Sequence, residues 1–88
     1  MKKNSPCLSI VEATYLDGYA VRLTFSDGVV RDIDFGPFLL GNPHPQYDKY
    51  RDIKKFKKFK IEYGNIVWGR NWDLIFDEYE LYRGRAPR

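Results

Sequence analysis

Two Asp-Gly pairs, Asp17-Gly18 and Asp27-Gly28, punctuate the stretch LSIVEATYLDGYAVRLTFSDGVVRDIDF and divide it into three short runs. Gly and Asp tolerate the positive φ that tight hairpin turns demand, so two such pairs this close together predict a chain that doubles back twice. Between them Tyr19, Val21, Leu23 and Phe25 alternate with Ala20, Arg22, Thr24 and Ser26. A period of two over this length is a strand with one buried face. The run before it, Ile10 to Leu16, is rich in β-branched and aromatic residues. After it, Val29, Ile33 and Phe35 share one parity, with Asp32 and Asp34 on the other face. The expected unit is a three-stranded antiparallel meander.

The rest of the chain reads as a mixture. Gly36, Pro37, Gly41, Pro43 and Pro45 mark an irregular segment in which Phe38, Leu39 and Leu40 form a short helical turn. Tyr47, Tyr50, Ile53 and Phe56 recur at a spacing of three with charges between them, which predicts an amphipathic helix of two to three turns. Phe59, Ile61 and Tyr63 alternate with Lys58, Lys60 and Glu62, again a strand. Gly64-Asn65 suits a tight turn, and Ile66, Val67 and Trp68 form the return strand. A short strand is expected at Leu74 to Phe76. DEYELYRG then reads as one or two helical turns, with Asp77 and Glu78 at the end where the helix dipole favours anions.

At 88 residues the chain is expected to be one domain, 1–88, frayed at 1–7 and 85–88. A domain of this size buries roughly 60–65% of the surface its unfolded chain exposes, which leaves a thin stability margin. An aromatic content of 17% is therefore read chiefly as core filling. The one cysteine, Cys7, excludes an internal disulfide and a cysteine-based metal site, in keeping with a reducing compartment. No apolar run approaches the ~18 residues of a membrane span. The opening MKKNSPCLSIVEA lacks the continuous apolar stretch of a signal peptide. The expectation is a soluble, cytoplasmic protein with no membrane contact.

Charge is distributed unevenly. Asp48 to Lys60 holds seven basic and two acidic residues in a chain whose net charge is only +3. Lys49, Arg51, Lys54, Lys55, Lys57, Lys58 and Lys60 are thus the candidate partner-binding surface. Basic residues interleaved with Tyr and Phe suit phosphate contacts and base stacking. They equally suit a protein with an acidic face, or a helix and strand that wet their outer sides with lysine. Toward the C-terminus Asp73, Asp77, Glu78 and Glu80 form a carboxylate-rich stretch beside Trp72. Paired carboxylates perform acid–base chemistry when their environments separate their pKa values. No nucleophile or ligand set joins these four, so they read as turn and helix caps. His44, the only histidine, lies between two prolines and has no partner for a triad or metal site. There is no glycine-rich phosphate motif, and no cofactor is expected.

Several of these residues carry a family likeness. Phe25-Ser26-Asp27-Gly28, then Phe56 to Phe59, then Trp68, Asp73-Leu74-Ile75-Phe76 and Leu81-Tyr82 occur in an order and spacing that resembles a bacterial family known as domain of unknown function 2442. The likeness runs roughly from Ile10 to Tyr82, and Asp27, Gly28, Trp68, Asp73, Leu81 and Tyr82 are its structural signature. The family pattern has a proline soon after the Asp-led segment, and here Asp77 stands there instead, able to cap a helix by its side chain. The resemblance implies a short α+β protein without an established activity. It also implies a small accessory protein encoded beside other short genes in arrangements like toxin–antitoxin pairs. Some members carry a helix-turn-helix segment, for which this sequence leaves no room.

The combined expectation is an α+β fold: an antiparallel sheet of about five strands, made of the meander, an inserted helix and a hairpin, with a short C-terminal helix. The expected function is a non-catalytic protein-binding or regulatory module, with a small nucleic-acid-binding protein using 49–60 as the alternative. An enzyme is not expected, since no catalytic set assembles.

Overall fold

The structure, a computed structural model, describes residues 8–85 and 87. Strands β1 (Ile10–Tyr15), β2 (Ala20–Phe25) and β3 (Val30–Asp34) form the expected meander, in the order β1-β2-β3 with antiparallel pairing throughout. Gly18 and Gly28 take positive φ in the two connections. In the second, Phe25 N–H donates to Val29 O (2.8 Å) and Gly28 N–H to Phe25 O (2.9 Å), closing a three-residue loop. The parity reading holds: Val21, Leu23, Phe25, Ile33 and Phe35 are buried, and Arg22 and Asp32 pair on the outer face at 2.8 Å.

Helix α1 (Gly36–Gly41) follows directly, with Pro37 in its first turn and Leu39 buried. The predicted single helix over Tyr47 to Phe56 is corrected to three pieces. They are α2 (Pro45–Asp48), a 3-10 turn (Lys49–Arg51) and α3 (Ile53–Phe56). Asp52 causes the break: its backbone is extended and its side chain accepts from Lys54 N–H at 3.0 Å, so it starts a new helix as N-cap. His44 does the same for α2, its Nδ1 accepting from Gln46 N–H at 3.1 Å.

The second half forms a separate sheet, β4 (Lys60–Glu62), β5 (Asn65–Trp68) and β6 (Leu74–Ile75), in the order β4-β5-β6. The architecture is therefore α+β as expected, with six strands in two sheets in place of about five in one. The register of β1 is irregular between Ile10 and Glu12. There Ile10 N–H leaves the meander to donate to Gly64 O at 2.7 Å, a single link too short to merge the sheets. The turn between β4 and β5 also shifts by one residue from Gly64-Asn65. Its central pair is Tyr63-Gly64, with φ of 53° and 78°, and Glu62 faces Asn65 across it. Helix α4 (Glu78–Tyr82) closes the chain, N-capped by Asp77, whose carboxylate accepts from Tyr79 N–H at 2.9 Å.

The core lies between the two sheets. All four residues of β5 are buried, and Trp68 is its centre. The indole stacks on Phe56 (5.4 Å between centroids) and meets Phe35, Phe59 and Phe76 edge-on. Its N–H donates to Phe56 O at 2.7 Å, so a large buried ring leaves no polar atom unpaired. Asn65 is likewise satisfied, giving its amide N–H to Phe76 O (2.7 Å) while its carbonyl accepts from Ile66 N–H (2.8 Å).

Candidate functional site

The seven basic residues of 49–60 do not form one face. Arg51 is structural: its Nε donates to Leu39 O at 3.0 Å, and its own carbonyl accepts from the Tyr19 hydroxyl. Lys57 lies 4.9 Å over the Tyr15 ring, and Lys54 is exposed at the start of α3. The remaining four, Lys49, Lys55, Lys58 and Lys60, line an open cleft of about 510 Å³. Tyr50 and Gly69 form its floor, and Arg70 supplies a fifth cation from the β5–β6 connection. Sequence reading missed Arg70 because it lies ten residues beyond the lysine run, and only the return of β5 brings it across.

Two of these cations are already engaged. Lys49 Nζ meets Asp73 Oδ2 at 2.9 Å, and the Tyr50 hydroxyl donates to the same oxygen at 3.1 Å. The hydrogen bond to Asp73 raises the Lys49 pKa, and Lys49 in turn holds the Asp73 carboxyl below its ordinary value. Burial, with Asp73 second, pushes the Tyr50 phenol up. Lys60 Nζ meets Glu62 Oε2 at 2.8 Å, the principal cause of a lowered Glu62 pKa. Lys55, Lys58 and Arg70 have no ion-pair partner among the described residues. Three unneutralised cations around one concavity attract carboxylates or phosphates, and the concave shape concentrates their field. Gly69 keeps this floor flat: its φ is 85°, and a Cβ there would stand 2.6 Å from Asp73 Oδ2 and 2.7 Å from the Tyr50 hydroxyl.

Four of the signature residues, Asp27, Gly28, Leu81 and Tyr82, do something different. Asp27 Oδ2 accepts from the Tyr82 hydroxyl at 2.6 Å, and Asp27 Oδ1 accepts from Val29 N–H at 3.0 Å. The Tyr82 ring stands edge-on to Phe25 at 5.1 Å, and Arg31 Nε donates to Tyr82 O at 2.7 Å. Leu81 is buried beside them. The Phe-x-Asp-Gly turn and the terminal Leu-Tyr are thus two halves of one clasp that fastens α4 to the meander. The model of a family described as "Protein of unknown function (DUF2442)" matches residues 10–87. The chain belongs to this family. No curated protein and no solved structure matches it.

In this DUF2442 chain the carboxylates of the C-terminal stretch are dispersed. The sequence predicts a bond from Asp73 to its own turn; its carboxylate instead ties Lys49 and Tyr50 together at the cleft. Asp77 caps α4 as expected. Glu80 pairs with Arg83 (3.3 Å) and Arg85 (3.7 Å), and Glu78 has its pKa raised by burial and by Asp77. Among the described residues no group of three or more His, Cys, Asp and Glu side chains stands together as a metal site, and no helix is long and apolar enough to cross a membrane. Cys7 lies outside the described residues.

Proposed function

We propose that the chain is a non-catalytic binding module, acting in the cytoplasm, that takes an acidic segment of a protein partner into the cleft between α3, β4 and the β5–β6 connection. The observation that carries this reading is the convergence of Lys55, Lys58 and Arg70, all without ion-pair partners among the described residues, on one open concavity. Carboxylates entering there form charge-assisted bonds while lysine stems remain solvated, a surface that gives fast encounter and selection by charge. An accessory role beside a second small protein, the setting the family resemblance implies, suits such a module. The same charges draw phosphates, but the one ring lining the cleft, Tyr50, is 5% exposed and offers no stacking face.

The test compares the parent with a Lys55→Gln, Lys58→Gln, Arg70→Gln variant by titration with a Glu/Asp-rich peptide. Gln keeps the helix propensity of Lys55 in α3, and Lys58 and Arg70 are exposed in turns, so circular dichroism should be unchanged. Affinity at low salt should fall by about tenfold or more, and the difference should shrink at about 0.15 M salt. Equal affinity for the two proteins overturns the reading. Submicromolar binding of single-stranded DNA at physiological salt, with a slope of roughly 0.7 per phosphate contact, puts nucleic acid in the partner's place.

A further inference from the structure

Tyr63 and Trp72 are the two non-glycine residues with positive φ among the described residues, at 53° and 56°. Large L-residues adopt this conformation at a steric cost, and such cost persists where something else maintains it. Packing of the fold does not: neither ring belongs to the core cluster or to the side chains packed against it. Tyr63 is 92% exposed and Trp72 40%. Yet the two rings are held together, edge to face, at 5.8 Å and 70°. The Trp72 indole N–H donates to Glu62 Oε1, and the other oxygen of that carboxylate holds Lys60. Lys60 lines the cationic cleft. One carboxylate thus joins the aromatic pair to the rim of the cleft.

We propose that Tyr63 and Trp72 are the apolar anchor of the docking surface, taking an aliphatic or aromatic side chain that lies next to the acidic residues held in the cleft. The inference rests on the cleft reading and adds a second determinant to it: the partner segment carries an apolar side chain beside its acidic residues and is not merely acidic. Tyr and Trp suit the task because each gives a large contact area with few rotors to immobilise, and both are enriched among residues that dominate interface energies. The strained backbone keeps the pair presented without a partner, so little ordering is left for the binding step.

A protein segment fits this surface better than a nucleic acid. Rings at 70° to one another form no parallel platform for successive bases. A phosphate chain running from the cleft to the rings would also pass the Glu62 carboxylate. An apolar side chain passes it without repulsion.

The experiment uses the intact protein and three probes: a short Glu/Asp peptide with a central Leu-Leu pair, the same peptide with Ser-Ser, and single-stranded oligo-dT. With the parent, the Leu-Leu peptide should bind at least about fivefold tighter than the Ser-Ser peptide. In a Tyr63→Asn, Trp72→Asn variant that advantage should vanish, while the Ser-Ser peptide binds as before and the melting temperature does not fall. Equal binding of the two peptides by the parent overturns the anchor and leaves the cleft reading standing, and needs no variant to read. Failure of both peptides to bind overturns the cleft reading and the anchor with it. Oligo-dT binding tighter than either peptide, and weakened in the variant, overturns the proposal in favour of a nucleic acid.

Discussion

The loop joining β2 to β3 and the turn joining β4 to β5 do the same topological work by opposite means. In the first, Gly28 takes the positive φ, Asp27 is tied to Val29 and Tyr82, and nothing is strained. In the second, Tyr63 takes a positive φ that glycine or asparagine would adopt at lower cost, and its ring is left in water. The loop at the first end follows the rules of turn chemistry, and its polar groups serve the clasp that holds α4. The second end breaks the rules beside the cleft where three cations stand unneutralised. Departures from local consistency concentrate where the fold is not the only demand on the sequence.

The largest expected effect lies on the ground the two ends share. Trp68→Ala removes the ring around which both sheets pack and leaves the Phe56 carbonyl without its donor. It should destabilise by about 3–5 kcal/mol in urea unfolding, enough to unfold much of a domain this small. A variant that melts within a degree or two of the parent would show that the sheets are held together by something else. Gly69→Ala comes next. The added methyl meets Asp73 and the Tyr50 hydroxyl inside 2.8 Å at a φ of 85°, so about 1–3 kcal/mol should be lost and acidic-peptide affinity should change with it.

Tyr63→Asn tests the contrast itself. Asparagine tolerates the left-handed region, and the lost edge contact was already wet. The variant should be more stable by about 0.5–1 kcal/mol in thermal or urea unfolding. A loss of stability would mean that the turn is not strained and that the two ends do not differ as described. Tyr82→Phe tests the relaxed end and should have the smallest effect. The Tyr82 hydroxyl, then Val29 N–H, hold the Asp27 carboxyl below its ordinary value of 3.8. A depressed folded-state pKa contributes stability that is present above the unfolded value and is lost as pH falls through the folded one. Parent and variant should therefore differ at neutral pH and converge in acid below 3.8, as read by denaturation midpoints at the two pH values. No difference at either pH would place the contribution of Tyr82 in its ring, and a difference independent of pH would show that the hydroxyl acts other than through the Asp27 charge.

The relaxed end was legible in the sequence because its rules are local. Asp17-Gly18, Asp27-Gly28 and the alternation of Val21, Leu23 and Phe25 each state the same structure. Residue type puts the β4–β5 turn one residue late, at Gly64-Asn65, because it argues against Tyr at positive φ and Gly64 alone draws the turn onto itself. The spacing predicts one helix over Tyr47 to Phe56, longer than any of the three pieces that form. A strict spacing of three fits a helix only loosely, and three residues per turn is the 3-10 geometry that occupies Lys49–Arg51. The lysines were visible as composition, but which of them share a concavity depends on Asp52 breaking the helix and on β5 carrying Arg70 back. The Asp27–Tyr82 contact spans 55 positions, and no periodicity reaches that far.

The two tryptophans give the molecule a built-in pair of optical reporters. Trp68 is fully buried among phenylalanines and should emit at short wavelength, inaccessible to soluble quenchers until the domain unfolds. Trp72 is 40% exposed at the rim and should supply the long-wavelength edge, open to acrylamide in the native state. Loss of blue emission then follows the core, and protection of red emission follows occupation of the rim. One unlabelled sample can thereby report folding and binding as separate colours.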